Sequence, residues 1–228
     1  MKTIIKPRSE LASAIAEAAV RVISASIEEF GKCRLVITGG GLGMEVLSSL
    51  ASAQIDWAKV SVILSDERFV GLNDNDRNEF QALERMPQLA NTQWMRYPDS
   101  TTDLETSTEK FNVEVSTVFG DIDSSDHSFD LVLLGMGPDG HVASLFPGRL
   151  HSKQWIVSED SSPKPPSSRM SLSYQALCKG ERVWFMASGK EKAQAASSAM
   201  TQSDLPAGRV RGRSETIWWI DQALSDEL

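Results

Sequence analysis

Cysteine is scarce in this chain. Cys33 and Cys178 are the only two among 228 residues, and neither belongs to a CxxC pair or a Cys/His cluster. That spacing offers no disulfide framework, redox motif or metal-ligand set, and both read as plain thiols of a reducing compartment. Long apolar runs are also missing: nothing approaches the roughly 20 residues of a membrane span. The N-terminal MKTIIKPRSELAS has no apolar core of a signal peptide, so the expected location is the cytoplasm. Basic residues are outnumbered, 23 Lys and Arg against 31 Asp and Glu, for a net charge of −8. A general nucleic-acid binder, with its basic face, is disfavoured. An anionic small molecule is not, because a local group of cations can outweigh the average.

What is present is the balance of a globular protein, 41% hydrophobic and 24% charged. The length suits one domain over residues 1–228. No internal repeat or composition break divides it. Ser9 is a plausible N-cap for an amphipathic helix ending near Gly31. Short apolar runs at 34–38, 60–64, 129–134, 182–187 and 216–220 read as strands, with a further strand at 169–174 at the edge of the Pro/Ser-rich loop 159–168. Helical segments fall at 44–52, within 73–90, at 105–119 and at 190–200. Alternation of continuous apolar strands with helices predicts an α/β fold, three layers α/β/α around a largely parallel sheet.

Three loops carry the chemistry. TGGGLG, Thr38–Gly43, lies between a strand and a helix, where glycine lets backbone amides approach an anion. It is neither GxGxxG nor a Gly-Lys-Ser/Thr loop, so no nucleotide site is read from it. SDERFV follows the next strand and offers Arg68, a planar fork of donors. GMGPDGHVASLFPG, from Gly135 to Gly148, puts Asp139 and His141 on a tight turn after a strand. Ligands of open α/β sheets bind at such strand ends, and an unperturbed imidazole, with a pKa of about 6.5, can move protons near neutrality.

This last segment resembles the signature of the 6-phosphogluconolactonases, relatives of the glucosamine-6-phosphate isomerases and deaminases. The likeness holds nearly residue for residue over the fourteen positions, and family-like segments recur in matching order from TGGG to the TIWWI strand. The resemblance implies a Rossmann-like fold and hydrolysis of 6-phospho-D-glucono-1,5-lactone in the oxidative pentose phosphate route, without metal or cofactor. His141 would be the general base, Asp139 its orienting acid, and Arg68 a phosphate or carbonyl ligand. Asp66 and Glu67 would hold that loop. Gly39 and Gly40, Asn78, Arg169 after PKPP, and Lys192 in Gly-x-x-Lys-Ala match the family's binding segments, and Thr38 and Gly41 stand at binding positions of its first loop where the family carries Ser. Lys190 does not match. The family's first loop usually reads SGGSTP; here Gly41 and Leu42 replace its Ser-Thr pair, so backbone amides must carry more of the phosphate. The oxyanion donors are either amides around Gly40 and Gly41 or Arg68. Arg209, Arg211 and Arg213 could flank an anion.

Two other readings compete. An isomerase or deaminase would carry an acid soon after the histidine, where this chain has Ala143, Ser144, Leu145, Phe146 and Pro147. A sugar-phosphate sensor would need a DNA-binding extension or basic arm, which the sequence lacks. Oligomeric state is left open by the sequence.

Overall fold

A computed structural model describes residues 1–124, 126–149, 152–201 and 204–228. In chain order the strands are β1 (Lys2–Lys6), β2 (Cys33–Ile37), β3 (Val60–Leu64), β4 (Asp66–Arg68), β5 (Gln93–Met95), β6 (Phe129–Gly135), β7 (Ile156–Glu159), β8 (Arg169–Leu172), β9 (Gly180–Ala187) and β10 (Glu215–Asp221). The helices are α1 (Arg8–Phe30), α2 (Gly41–Leu50), α3 (Asn78–Arg85), α4 (Leu104–Phe119), α5 (Tyr174–Leu177), α6 (Ala193–Met200), α7 (Pro206–Arg209) and α8 (Gln222–Ser225).

Seven strands form one sheet in the order β1-β10-β9-β6-β2-β3-β5, and every neighbouring pair is parallel. A parallel sheet needs both faces covered, and the sequence supplies this. β6 is buried along its length except at Gly135, and the inner parts of β2, β3, β9 and β10 are buried as well. Phe185 and Trp218 are register partners on β9 and β10 and stack with ring centroids 4.4 Å apart. Helices pack against the sheet in the α/β/α arrangement, α1 and α2 also on each other. No helix among the described residues is long and apolar enough to cross a membrane. Cys33 is buried and Cys178 half-buried, both as free thiols, and burial pushes both thiols up.

Several local expectations are corrected. Ser9 does not cap α1: it lies inside the helix, which begins at Arg8 after Pro7, whose carbonyl accepts from the Glu10 amide at 2.9 Å. Its C-terminus does fall at Gly31, which takes the left-handed conformation at φ +73°. Residues 190–192 form a 3-10 turn and α6 starts only at Ala193. The strand expected at 169–174 is β8, which lies between β4 and β7 in a separate antiparallel sheet, whereas β1, β4, β5 and β7 were not expected. These four are three to five residues long, too short for periodicity to register.

The small sheet is tied to α3 by a buried acid. Glu67 Oε1 accepts from the amides of Arg68 and Asn78, each at 2.7 Å, and Oε2 from that of Glu79 at 2.8 Å. Burial pushes the Glu67 carboxyl up to about 7, against the pull of these amides and of Arg77. The fully buried Arg77 places Nε 3.9 Å from Glu67 and Nη2 3.2 Å from Glu79, and also donates to the Tyr97 carbonyl. Removing one partner of such a cluster strands the others in a low dielectric. Arg77→Ala is therefore expected to cost about 3–5 kcal/mol, read as a lower midpoint in chemical denaturation. A loss below about 1 kcal/mol would contradict the brace.

Candidate active site

The chain order places β2 between β3 on one side and β6 on the other. Connections leave in opposite directions there, which opens a crevice at the carboxyl ends of the strands. A cavity of about 400 Å³ occupies it. Its walls come from the loop after β2, from β4, from the loop after β6, from Arg169 of β8 and from the turn before α6.

The first wall is the glycine loop. Thr38 is buried, and its hydroxyl accepts from Ser65 Oγ at 3.1 Å. Gly40 precedes α2 with φ +81°, a conformation that favours glycine. The first intrahelical bond is Met44 N to Gly40 O at 2.9 Å, so the amides of Gly41, Leu42 and Gly43 have no helical acceptor. They meet the cavity at the positive end of α2. A side chain at Gly41 would meet nothing within 4 Å. The hydroxyl that the family carries there is thus missing without any packing reason.

The second wall is the histidine loop. Gly137 N donates to His141 O at 2.9 Å and Gly140 N to Gly137 O at 3.0 Å, folding the segment back on itself. His141 Nδ1 lies 2.5 Å from Asp139 Oδ1, and the His141 amide donates to the same oxygen at 3.3 Å. The ring packs against Phe146 with centroids 4.9 Å apart. Burial works against charge on Asp139, but the imidazole beside it holds the carboxyl below its ordinary value. A proton on Nδ1 facing this carboxylate leaves Nε2 as the ring's acceptor. His141 lines the cavity, whereas Asp139 stands behind it, on a neighbouring depression shared with Pro147 and Leu205. Asp139 is thereby placed to orient the imidazole and is kept out of the cavity.

The third wall is cationic. Arg68 and Arg169 are direct register partners across β4 and β8, a placement in which like charges repel. Arg169 is buried, and donates through Nε to Pro166 O at 3.1 Å and through Nη2 to Lys164 O at 2.9 Å. Burial lowers its pKa first; Asp66 opposes that and Arg68 adds to it. Arg68 Nη1 donates to the Asp76 carbonyl. Lys192 stands across the cavity, also lowered by burial and by repulsion from Lys164, with Glu191 opposing. The turn carrying Lys192 is held by Asp221, which accepts from Ser188 Oγ at 2.7 Å and from the Gly189 amide at 3.1 Å. Asp66 faces the cavity but is engaged by Ser65 Oγ at 3.0 Å and Ser144 Oγ at 2.6 Å.

Every expected site residue except Asp139 therefore lines one cavity: His141, Arg68, Thr38, Gly39, Gly40, Gly41, Asn78, Arg169 and Lys192. Lys164 joins them and was missed, although it lies in the PKPP segment already noted. Arg209, Arg211, Arg213 and Lys190 do not line it. Arg209 lies over the Tyr174 ring at 4.3 Å, and Arg211 donates to the carbonyls of Ala207, Val210 and Ala199.

The family model described as glucosamine-6-phosphate isomerases/6-phosphogluconolactonase matches residues 6–219. The chain belongs to this family. Among curated members of the isomerase/lactonase family, a 6-phosphogluconolactonase of Streptomyces coelicolor is 32% identical over 92% of this chain and 89% of its own length. One from Mycobacterium tuberculosis is 32% identical over 96% of this chain and 94% of its own. The crystal structure of the Thermotoga maritima 6-phosphogluconolactonase superposes with a TM-score of 0.84 at 28% identity, covering 97% of this chain and 99% of that one.

Gly137 tests the histidine loop directly. A Cβ there would sit 2.1 Å from His141 Cε1 and 2.7 Å from Asp139 Oδ1. Gly137→Ala must push the imidazole aside, and displacing a reacting group by about 1 Å can cost about 10²-fold. The expected result is a fall of that order in kcat with an unchanged melting temperature. Full activity in the variant would refute the placement of the ring.

Proposed function

We propose that this protein is a cytoplasmic 6-phosphogluconolactonase. It would hydrolyse 6-phospho-D-glucono-1,5-lactone to 6-phosphogluconate, the second step of the oxidative pentose phosphate pathway, with residues 1–228 acting as one unit. The observation that carries this reading is His141, pinned through Nδ1 by Asp139 at 2.5 Å and opening on a cavity with four cationic side chains, Arg68, Lys164, Arg169 and Lys192. A general base beside a concentration of positive charge suits an ester-like electrophile that carries a phosphate.

Water attacks the lactone carbonyl at C1 while His141 Nε2 takes its proton. Such transfer contributes typically about 10²–10⁴-fold. The developing imidazolium is stabilised by the Asp139 carboxylate, which keeps its own charge. The carbonyl oxygen becomes an oxyanion and needs fixed donors; the amides at the start of α2 or the Arg68 guanidinium supply them. The C1–O5 bond then breaks and His141 returns the proton to the departing ring oxygen. The new carboxylic acid ionises, so one proton leaves for solvent in each turnover. Arg169, Lys164 and Lys192 hold the phosphate and fix the lactone against the histidine. Each step uses a protein group or water, so the reading includes independence from metal and cofactor.

The test is hydrolysis of freshly generated lactone with spontaneous opening subtracted. His141→Asn is expected to lower kcat by about 10²–10⁴-fold, and a chelator should leave the wild-type rate unchanged. A folded His141→Asn protein with wild-type turnover would remove the assigned base. Loss of activity on chelation, restored by a divalent ion, would remove the metal-free mechanism.

A further inference from the structure

The histidine loop carries a strained residue. Ala143 takes φ +50° and is the one non-glycine among the described residues in the left-handed region, which L side chains disfavour. It lies two residues past His141 and lines the same cavity. Strain of this kind persists only where the surroundings over-determine the backbone, and it gathers at functional sites. Here Leu145 N donates to Val142 O at 2.9 Å and closes the turn around Ala143 and Ser144.

Ser144, fully buried, fastens that turn from two directions. Its Oγ donates to Asp66 Oδ2 at 2.6 Å, the length of a charge-assisted bond, and its amide donates to Ser171 Oγ at 3.2 Å. Asp66 and Ser171 are register partners on β4 and β8, and the pair two residues along is Arg68 and Arg169. Residues two apart on a strand share a face, so Ser144 grips the same face of the small sheet that carries the two guanidiniums. Both anchors are themselves held: Ser171 Oγ donates to Leu172 O at 3.0 Å, and Asp66 Oδ1 lies 3.0 Å from Ser65 Oγ.

We infer that Ser144 is a positioning residue. By gripping the Asp66–Ser171 pair it holds Ala143 in the left-handed conformation and sets the His141 ring at a fixed distance from Arg68 and Arg169. This rests on the proposed function for the part that His141 plays. Ser144 is buried away from any ligand and acts through the base: the proton-accepting nitrogen and the cations that fix the substrate stand on separate segments, and Ser144 joins them.

The experiment compares wild type with Ser144→Ala and with the double variant Ser144→Ala, Ala143→Gly. Three quantities are read: kcat on the lactone, the affinity for 6-phosphogluconate by calorimetry, and the proton–nitrogen correlation signals of the His141 ring, assigned with His141→Asn. Ser144→Ala is expected to lower kcat about 10-fold or more, to leave the affinity unchanged, and to shift or broaden the ring signals. Adding Ala143→Gly should restore most of kcat, because glycine takes the left-handed conformation without the steric penalty. Wild-type kcat with unmoved ring signals in Ser144→Ala overturns the inference. So does a loss of kcat and affinity by one factor that Ala143→Gly does not relieve, the signature of a merely structural role. Should Ser144→Ala fail to fold, Ser171→Ala, which keeps the bond from Ser144 to Asp66, is read by the same criteria. A wild-type protein that turns over no lactone would sink the proposed function, while the ring signals still decide whether Ser144 places His141.

Discussion

The site depends on one geometric constraint: β2 and β6 are parallel neighbours in the middle of a buried sheet. Their carboxyl ends, and the glycine-rich loops that follow, must emerge side by side. Burial on both faces enforces this, since a strand as apolar as β6 has no alternative environment in water. One loop then turns directly into α2 and presents unpaired amides. The other folds back on itself and presents an imidazole. Neither loop is a site alone, and their juxtaposition follows from the order of the strands.

Against that frame of rigid backbone, the small antiparallel sheet supplies charge. β4 and β8 set the half-buried Arg68 and the buried Arg169 opposite each other, where the two guanidiniums repel while Asp66 lies 4.0 Å from Arg169. Glu67, Arg77 and the first turn of α3 hold β4 in place and so sustain the repulsion. On the proposed function, a dianionic ligand would relieve it. On that reading, such a conflict between like charges is a pattern expected where local consistency gives way at a functional site.

Much of this was legible in the sequence, for local reasons. The central strands are continuous apolar runs, and the loops after β2 and β6 announce themselves by glycine density within a few residues. The segment around His141 likewise sets a carboxylate and an imidazole two residues apart. Contacts between distant segments were not legible. Ser144 reaches Asp66 across 78 positions, and Lys164 enters the cavity only because β8 pairs with β4. The contact between Asp139 and His141 was not legible either, because residues two apart can diverge; here the bare backbone of Gly137 lets them meet. The edge strands escaped notice because β1 mixes lysine with isoleucine and β5 is three residues long. Among the glycines of the first loop, Gly39 and Gly43 are explained by close neighbours, while Gly41 has none.

The central claim is that the cavity is electrostatically matched to a phosphorylated lactone. The most direct measurement is the ratio of kcat/KM for 6-phospho-D-glucono-1,5-lactone to that for unphosphorylated glucono-1,5-lactone. Two or more charge-assisted hydrogen bonds to phosphate, each about 1.5–3 kcal/mol, predict a preference of at least about 10²-fold, shrinking as salt is raised. Equal kcat/KM values for the two lactones would contradict the account, and the crowded cations of β4, β8 and the Lys192 turn would then need another purpose.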